Sequence, residues 1–247
     1  MATIRTRRLA AALGSAVCAG SLIATLPLAD AVSTVSAKAG ATLLGRTPKT
    51  PRPTCPTPHS SDAPPEKSCQ AMGRVTGFQI SANGVRQPFK VRRPGTIVAW
   101  SVDLSRPSRK ERDFFETQLS KSGPARGRLS ILKRKKAGPY KLVKQSPVVN
   151  LKSSLGSRAV ITLADPLRVR KGMIVALTTP TWLSNLADFG ASDSDVWRAS
   201  REQGQCTQAE DLLNRSRPQQ KVGGTREYSC TYEGARLLYW AYLVPKG

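Results

Sequence analysis

Histidine is almost missing from this chain: the 247 residues hold one, His59. Serine and cysteine nucleophile systems move their proton through an imidazole, and His-Glu-x-x-His hydrolases need two. A lone histidine in a Pro-rich stretch supplies neither, which argues against both classes. Cysteine spacing is equally sparse. No Cys-x-x-Cys is present, which speaks against a structural zinc site. Acid is scarce too, with 16 Asp+Glu against 39 Lys+Arg. No acids alternate as Glu-x-Asp-x-Glu, the arrangement that would set a glycosidase pair on one concave strand face. After residue 28 no apolar run is long enough to cross a bilayer as a helix. No repeat recurs at a fixed period.

The first residues carry a targeting pattern. Arg5, Arg7 and Arg8 precede an apolar stretch over residues 9–28, and small residues follow. Ala29-Asp30-Ala31 fits the small-x-small pattern of signal peptidase, with Val35-Ser36-Ala37 as a later alternative. A secretory signal over residues 1–31 is expected, with cleavage as late as 37. Gly14, Ser15, Gly20, Ser21 and Pro27 dilute the run, which argues against a retained anchor. The expected location is therefore extracellular, either released or held at the cell surface.

Removing residues 1–31 takes away three of the 39 basic residues and one of the 16 acids, so 36 face 15 and the charge stays at +21. Such an excess favours polyanions: nucleic acid without sequence reading, anionic cell-envelope polymers or acidic membrane surfaces. The bland alternative is solubility. With Cys18 gone, Cys55, Cys69, Cys206 and Cys230 remain, an even number that reads as disulfides in an exported chain. Three connectivities are open, and the local pairs Cys55–Cys69 and Cys206–Cys230 are favoured.

Residues 32–68 are rich in Pro and Thr and read as an extended linker. Residues 69–247 are long enough for one domain with a real core. Their pattern is that of short strands. Residues 74–80 alternate. In residues 96–104, Val98, Trp100, Val102 and Leu104 share one face, with Ala99, Ser101 and Asp103 on the other. Residues 128–132 and 140–143 flank Lys136-Ala137-Gly138-Pro139, a hairpin signal. Further strands are expected over 84–91, 146–149, 159–163, 167–169, 173–178 and 237–244. Helix is limited to a turn or two over 109–119 and a short piece over 208–213. The expected fold class is all-β: a single β-sandwich, jelly-roll-like domain with a long disulfide-bearing loop near the C-terminus.

Pro94-Gly95-Thr96-Ile97-Val98-Ala99-Trp100-Ser101-Val102 carries a resemblance. So do Leu129-Ser130-Ile131-Leu132-Lys133 with Tyr140-Lys141-Leu142-Val143, and residues 166–177. Across about residues 72–182 the chain resembles a group of exported β-sandwich proteins of actinobacteria. These carry a Gly-x-Ile/Val-x-x-Trp strand and a Leu-x-Val-x-x-Gly-Asp strand start. Met173 stands where Asp follows the glycine in that pattern. The resemblance implies the fold and no activity.

The basic hairpin is the leading candidate site. Arg126, Arg128, Lys133, Arg134, Lys135, Lys136, Lys141 and Lys144 surround one turn and would converge on one edge, where they would bind phosphate backbones by charge. The alternative is an edge hairpin guarded by lysines against aggregation. Trp182 and Trp197, read as loop residues, are the candidate platforms for a carbohydrate module, whereas Trp100 reads as core. Asp188, Asp193 and Asp195 form an acidic loop without EF-hand spacing and read as solvated. No catalytic residue, metal or cofactor is expected. The leading reading is a non-catalytic binding or structural module at the cell envelope. A β-sandwich carbohydrate-active enzyme or binding module is the alternative.

Overall fold

The computed structural model describes residues 40–54, 69–119, 123–136, 138–188, 194–206, 218 and 221–246. The expected leader, most of the linker with Cys55 and His59, Asp193 and the helix expected over 208–213 lie outside the described residues.

The strands are β1 (Thr42–Leu44), β2 (Met72–Ala82), β3 (Val85–Arg86), β4 (Gly95–Asp103), β5 (Arg126–Arg134), β6 (Tyr140–Gln145), β7 (Val149–Asn150) and β8 (Arg158–Val169). They continue with β9 (Ile174–Leu183), β10 (Leu186–Asp188), β11 (Val196–Ala199), β12 (Thr225–Arg226), β13 (Cys230–Glu233), β14 (Ala235–Leu237) and β15 (Tyr239–Pro245). One sheet has the order β1-β15-β4-β8. The larger one runs β12-β6-β5-β9-β2-β11-β13, with β3 on β2 and β7 on β5. β10 and β14 pair separately. The described pairings are antiparallel, so the all-β expectation holds. Period-two patterning is what lets each strand bury one face between the sheets.

Trp100, Val102, Tyr239, Ala241 and Leu243 of the smaller sheet and Val75, Leu129, Ile131, Val175 and Leu177 of the larger one meet in one core. Tyr239 ties the two layers. Its buried hydroxyl donates to the Val175 carbonyl at 2.9 Å, and its ring stacks on Phe89 with centroids 4.0 Å apart. Trp100 is fully buried, as the alternation implies. Val98 is not its partner in the core. β4 shifts register between Ile97 and Ala99 against both neighbours, so Val98 is the extra residue of a bulge and Ile97 turns inward.

Two further differences from expectation matter. The linker boundary moves, because β1 pairs with β15 and the chain that follows is held to the fold. Arg236, buried and without a carboxylate hydrogen-bond partner among the described residues, donates to the carbonyls of Lys49 and Gly45. Desolvation holds its pKa below the ordinary guanidinium value, and the nearby charge of Asp195 opposes this. Gly45 lies at φ 88, and a Cβ there would strike the Phe89 ring. The run 237–244 is also divided: Leu238 separates β14 from β15, which belong to different sheets. The helix over 109–119 is present as α1 (Arg109–Phe114) continued by a π-turn, Phe115–Leu119. Ser108 and Glu111 form a capping box at its start, and burial opposes the hydrogen bonds to Cys69 and Ser108 that leave the Glu111 pKa lowered.

Cys206 and Cys230 form a disulfide, as expected. Cys69 is also disulfide-bonded, and its expected partner Cys55 lies outside the described residues.

Replacing Arg236 with Met removes both bonds and leaves the buried Gly45 carbonyl without that donor, worth about 1–3 kcal/mol, while the Lys49 carbonyl keeps the Thr47 hydroxyl. Thermal melting should drop, and limited trypsin digestion should open at Arg46 and Lys49 before the rest of the domain. Unchanged resistance at both sites would contradict the clamp. Breaking Cys206–Cys230, whose cysteines are 24 residues apart, should cost about 3 kcal/mol in denaturant melts, the closure entropy of such a loop.

Candidate polyanion surface

The hairpin forms as the turn signal requires. β5 and β6 pair through Leu132–Leu142, Lys133–Lys141 and Arg134–Tyr140. The Lys135 amide donates to Pro139, the Gly138 amide donates to Lys135, and Gly138 takes φ 112, a conformation suited to glycine. Lys133 and Lys141 face each other across the strands on the same side. Like charges placed so are unfavourable without a counter-charge. Lys133, Arg134, Lys135, Lys136 and Lys141 are all exposed. None of them forms an ion pair with a carboxylate among the described residues.

The eight predicted cations do not all converge. Lys144 opposes Ile131 further down the ladder. Arg126 opens β5 opposite Asn150, about 27 Å from Arg134 at the usual strand rise. Arg128 opposes Thr178 and is half-buried on the outer face of the larger sheet. Its Nε finds no hydrogen-bond partner, and desolvation lowers its pKa. Beside it runs a buried hydroxyl ladder, Thr76 to Thr178 at 2.8 Å and Thr178 to Ser130 at 2.6 Å. Nor is β6 an open edge where β12 covers it, at Tyr140 and Lys141.

The fold supplies other cations in place of Arg126 and Arg128. Leu132 pairs with Ile174 at the start of β9, and Ile174 bridges to Lys90. The next residue, Val91, exchanges main-chain bonds with Gly172 and Met173. This register sets Lys90 across the start of β9 from the hairpin, beside the turn that carries Arg170 and Lys171, and Arg92 and Arg93 follow it in the chain. The Lys246 amide donates to Pro94 in the same region. Arg92, Arg93, Arg170 and Lys171 are exposed. The sequence reading missed them because Arg92-Arg93-Pro94-Gly95 and Arg170-Lys171-Gly172 look like ordinary turns. Their basic content was the available signal.

Four of the carboxylates sit at the other end of the sheets. Glu111, Asp113 and Glu116 lie on the helical segment whose Phe115 packs on Trp182, ring centroids 4.9 Å apart, near the end of β9. Trp182 is about 27 Å along the strand from Ile174. There Glu116 pairs with Lys152. Asp103, at the end of β4 remote from Gly95, holds Arg158 through two hydrogen bonds. Asp195 is buried and accepts from the Asn83 amide and the Ser194 hydroxyl, while Asp165 and Glu233 are exposed. Glu227, also exposed, follows Arg226 on β12 and so stands beside the hairpin, while the hairpin cations themselves form no ion pair among the described residues.

Trp182 and Trp197 are not exposed platforms. Trp182 is fully buried, and its indole donates to the Gly123 carbonyl. Trp197 lies in β11 rather than a loop, stacked on Tyr232 at 4.5 Å. Gly77 makes room for it: a Cβ there would come within 3.0 Å of the indole. Their neighbours in sequence are polar, which suggested a loop, but cross-strand pairing decided the outcome. The acidic loop is also redrawn, since Asp188 ends β10 and Asp195 is buried. No group of three or more acidic, His or Cys side chains suited to a metal occurs among the described residues.

If the strip acts as one field, Lys171→Glu should lower the salt needed to elute the protein from a cation exchanger about as much as Lys135→Glu does. Lys152→Glu, beside Glu116, should change it less. Equal shifts for all three would show that only total charge counts. No family model matches the chain, and no curated protein and no solved structure was found to match it.

Proposed function

We propose that this chain is an exported, non-catalytic β-sandwich protein that binds anionic polymers of the cell envelope through its basic strip. The observation that carries the reading is the gathering of Lys133, Arg134, Lys135, Lys136 and Lys141 with Lys90, Arg92, Arg93, Arg170 and Lys171 on adjoining loops, with the helical acids at the far end of β9. Spacing along a strip, rather than a single enclosed pocket, suits a linear chain of charges. Export is supported by the N-terminal pattern of basic, apolar and small residues and by the disulfide. The burial of Trp182 and Trp197 takes away the support for a flat carbohydrate platform.

The test is binding of the purified protein to isolated cell wall, duplex DNA and a neutral polysaccharide across a salt series. Both anionic materials should bind, and the logarithm of affinity should fall linearly with the logarithm of salt, with a slope steeper than about −3. Lys133→Glu, Lys135→Glu and Lys136→Glu together should flatten that slope and weaken binding to both. Salt-resistant binding to the neutral polysaccharide, or binding to none of the three, overturns the proposal.

A further inference from the structure

The outer face of the larger sheet holds a second apolar cluster. Phe78, Tyr140 and Tyr228 form a triangle of rings with centroids 5.1–5.5 Å apart, packed with Leu132, Leu142 and Ala176. Tyr228 seals one side, and burial raises its pKa. On the side toward the hairpin tip the cover stops. A recess of about 210 Å³ opens there over Phe78, Ile80, Tyr140 and Ile174, walled by Lys90, Arg134 and Arg198.

Three features mark this recess. Its charged lining is wholly positive, and none of the three cations pairs with a carboxylate among the described residues. The Arg198 Nε is buried and has no hydrogen-bond partner. A buried N–H left so costs free energy, which keeps this guanidinium short of partners beside the recess. The rim is also built from constrained backbone. Gln87 is held at φ 51, its amide donates to Ile80 and its carbonyl accepts from Lys90. A non-glycine residue in that region is held there by its surroundings.

The combination narrows the ligand. A bare inorganic ion would need no apolar floor. A polymer backbone would need a groove, and this recess falls below the ~300–1,000 Å³ of pockets that take drug-sized molecules. One ring fits its scale, with an apolar face against Phe78 and Ile174 and a negative group among the cations. We infer that the recess binds a single anionic sugar ring, through a carboxylate or phosphate held by Lys90, Arg134 and Arg198. The inference deepens the polymer reading and rests on it for the ligand's charge: the strip would hold the chain while the recess takes one charged residue or terminus.

Titration of the purified protein with glucuronic acid, glucose 6-phosphate, glucose and inorganic phosphate, followed by amide resonances and calorimetry, tests it. At least one of the two charged sugars should bind and move the Phe78, Tyr140 and Ile174 amides, and which one binds identifies the anionic group. Glucose and inorganic phosphate should each bind at least about tenfold more weakly, and Arg198→Gln should weaken the charged sugar about tenfold, the worth of one charge-assisted hydrogen bond. Lys90→Gln serves in its place should Arg198→Gln lose amide dispersion. The inference is overturned if neither charged sugar binds at millimolar concentration, if glucose or phosphate binds as well, or if the shifts map only to the hairpin tip. DNA and cell wall binding without charged-sugar binding would sink the recess and leave the strip. Charged-sugar binding without polymer binding would do the reverse.

Discussion

The bond from the Tyr239 hydroxyl to the Val175 carbonyl joins the two sheets inside the core, and much of the molecule is arranged around it. The Tyr239 ring lies flat on Phe89, and Phe89 sits next to Lys90 in the loop that leads to Arg92 and Arg93. On the other side of Phe89, Gly45 must be glycine to let the ring in. Gly45 in turn offers its carbonyl to Arg236. Core packing, the docking of the N-terminal strand and the placement of the basic loop thus share one set of contacts. A buried hydroxyl whose partner is lost costs about 1–3 kcal/mol, yet here the larger consequence would be positional.

Position matters because charge is cheap to expose and costly to concentrate. Lysines directly opposed on paired strands repel, and a strip of them weakens the compact state unless anions gather. The fold accepts that cost at the hairpin tip and avoids it at the helical end, where Glu116 meets Lys152 and Asp103 meets Arg158. Arg158 also lies over the Trp240 ring at 4.6 Å. The buried arginines Arg201 and Arg236 donate to a tyrosine hydroxyl and to main-chain carbonyls, with the Arg201 Nε left unpaired. Neutral acceptors hold them in place of a carboxylate.

Fold class was legible because alternation survives in most strands, and the hairpin was legible because Gly138-Pro139 punctuates it. What escaped the sequence reading were features that depend on pairing. Trp197 and its strand β11 look like loop because Asp195 and Arg198 flank them, yet β2 and β13 pair on either side. The bulge at Val98 reverses which residue faces inward, and a period-two pattern gives no warning of a single inserted residue. β1 was assigned to the linker because its Pro-rich continuation hides three paired residues. The candidate site was half visible. The tip cations were found, whereas Lys90, Arg92, Arg93, Arg170 and Lys171 join them only through the register of β9 with β5 and the bridge from Ile174 to Lys90. Arg126 and Arg128, close in sequence, are carried away by the length of β5.

We propose that one strip of this molecule, rather than its overall charge, meets an anionic polymer. Lysine acetylation footprinting, read by mass spectrometry with and without a saturating anionic polymer, tests it directly. The account predicts protection at Lys90, Lys133, Lys135, Lys136, Lys141 and Lys171, with Lys110 and Lys152 as reactive as in the free protein. Uniform protection, or protection centred on Lys110 and Lys152, would contradict it.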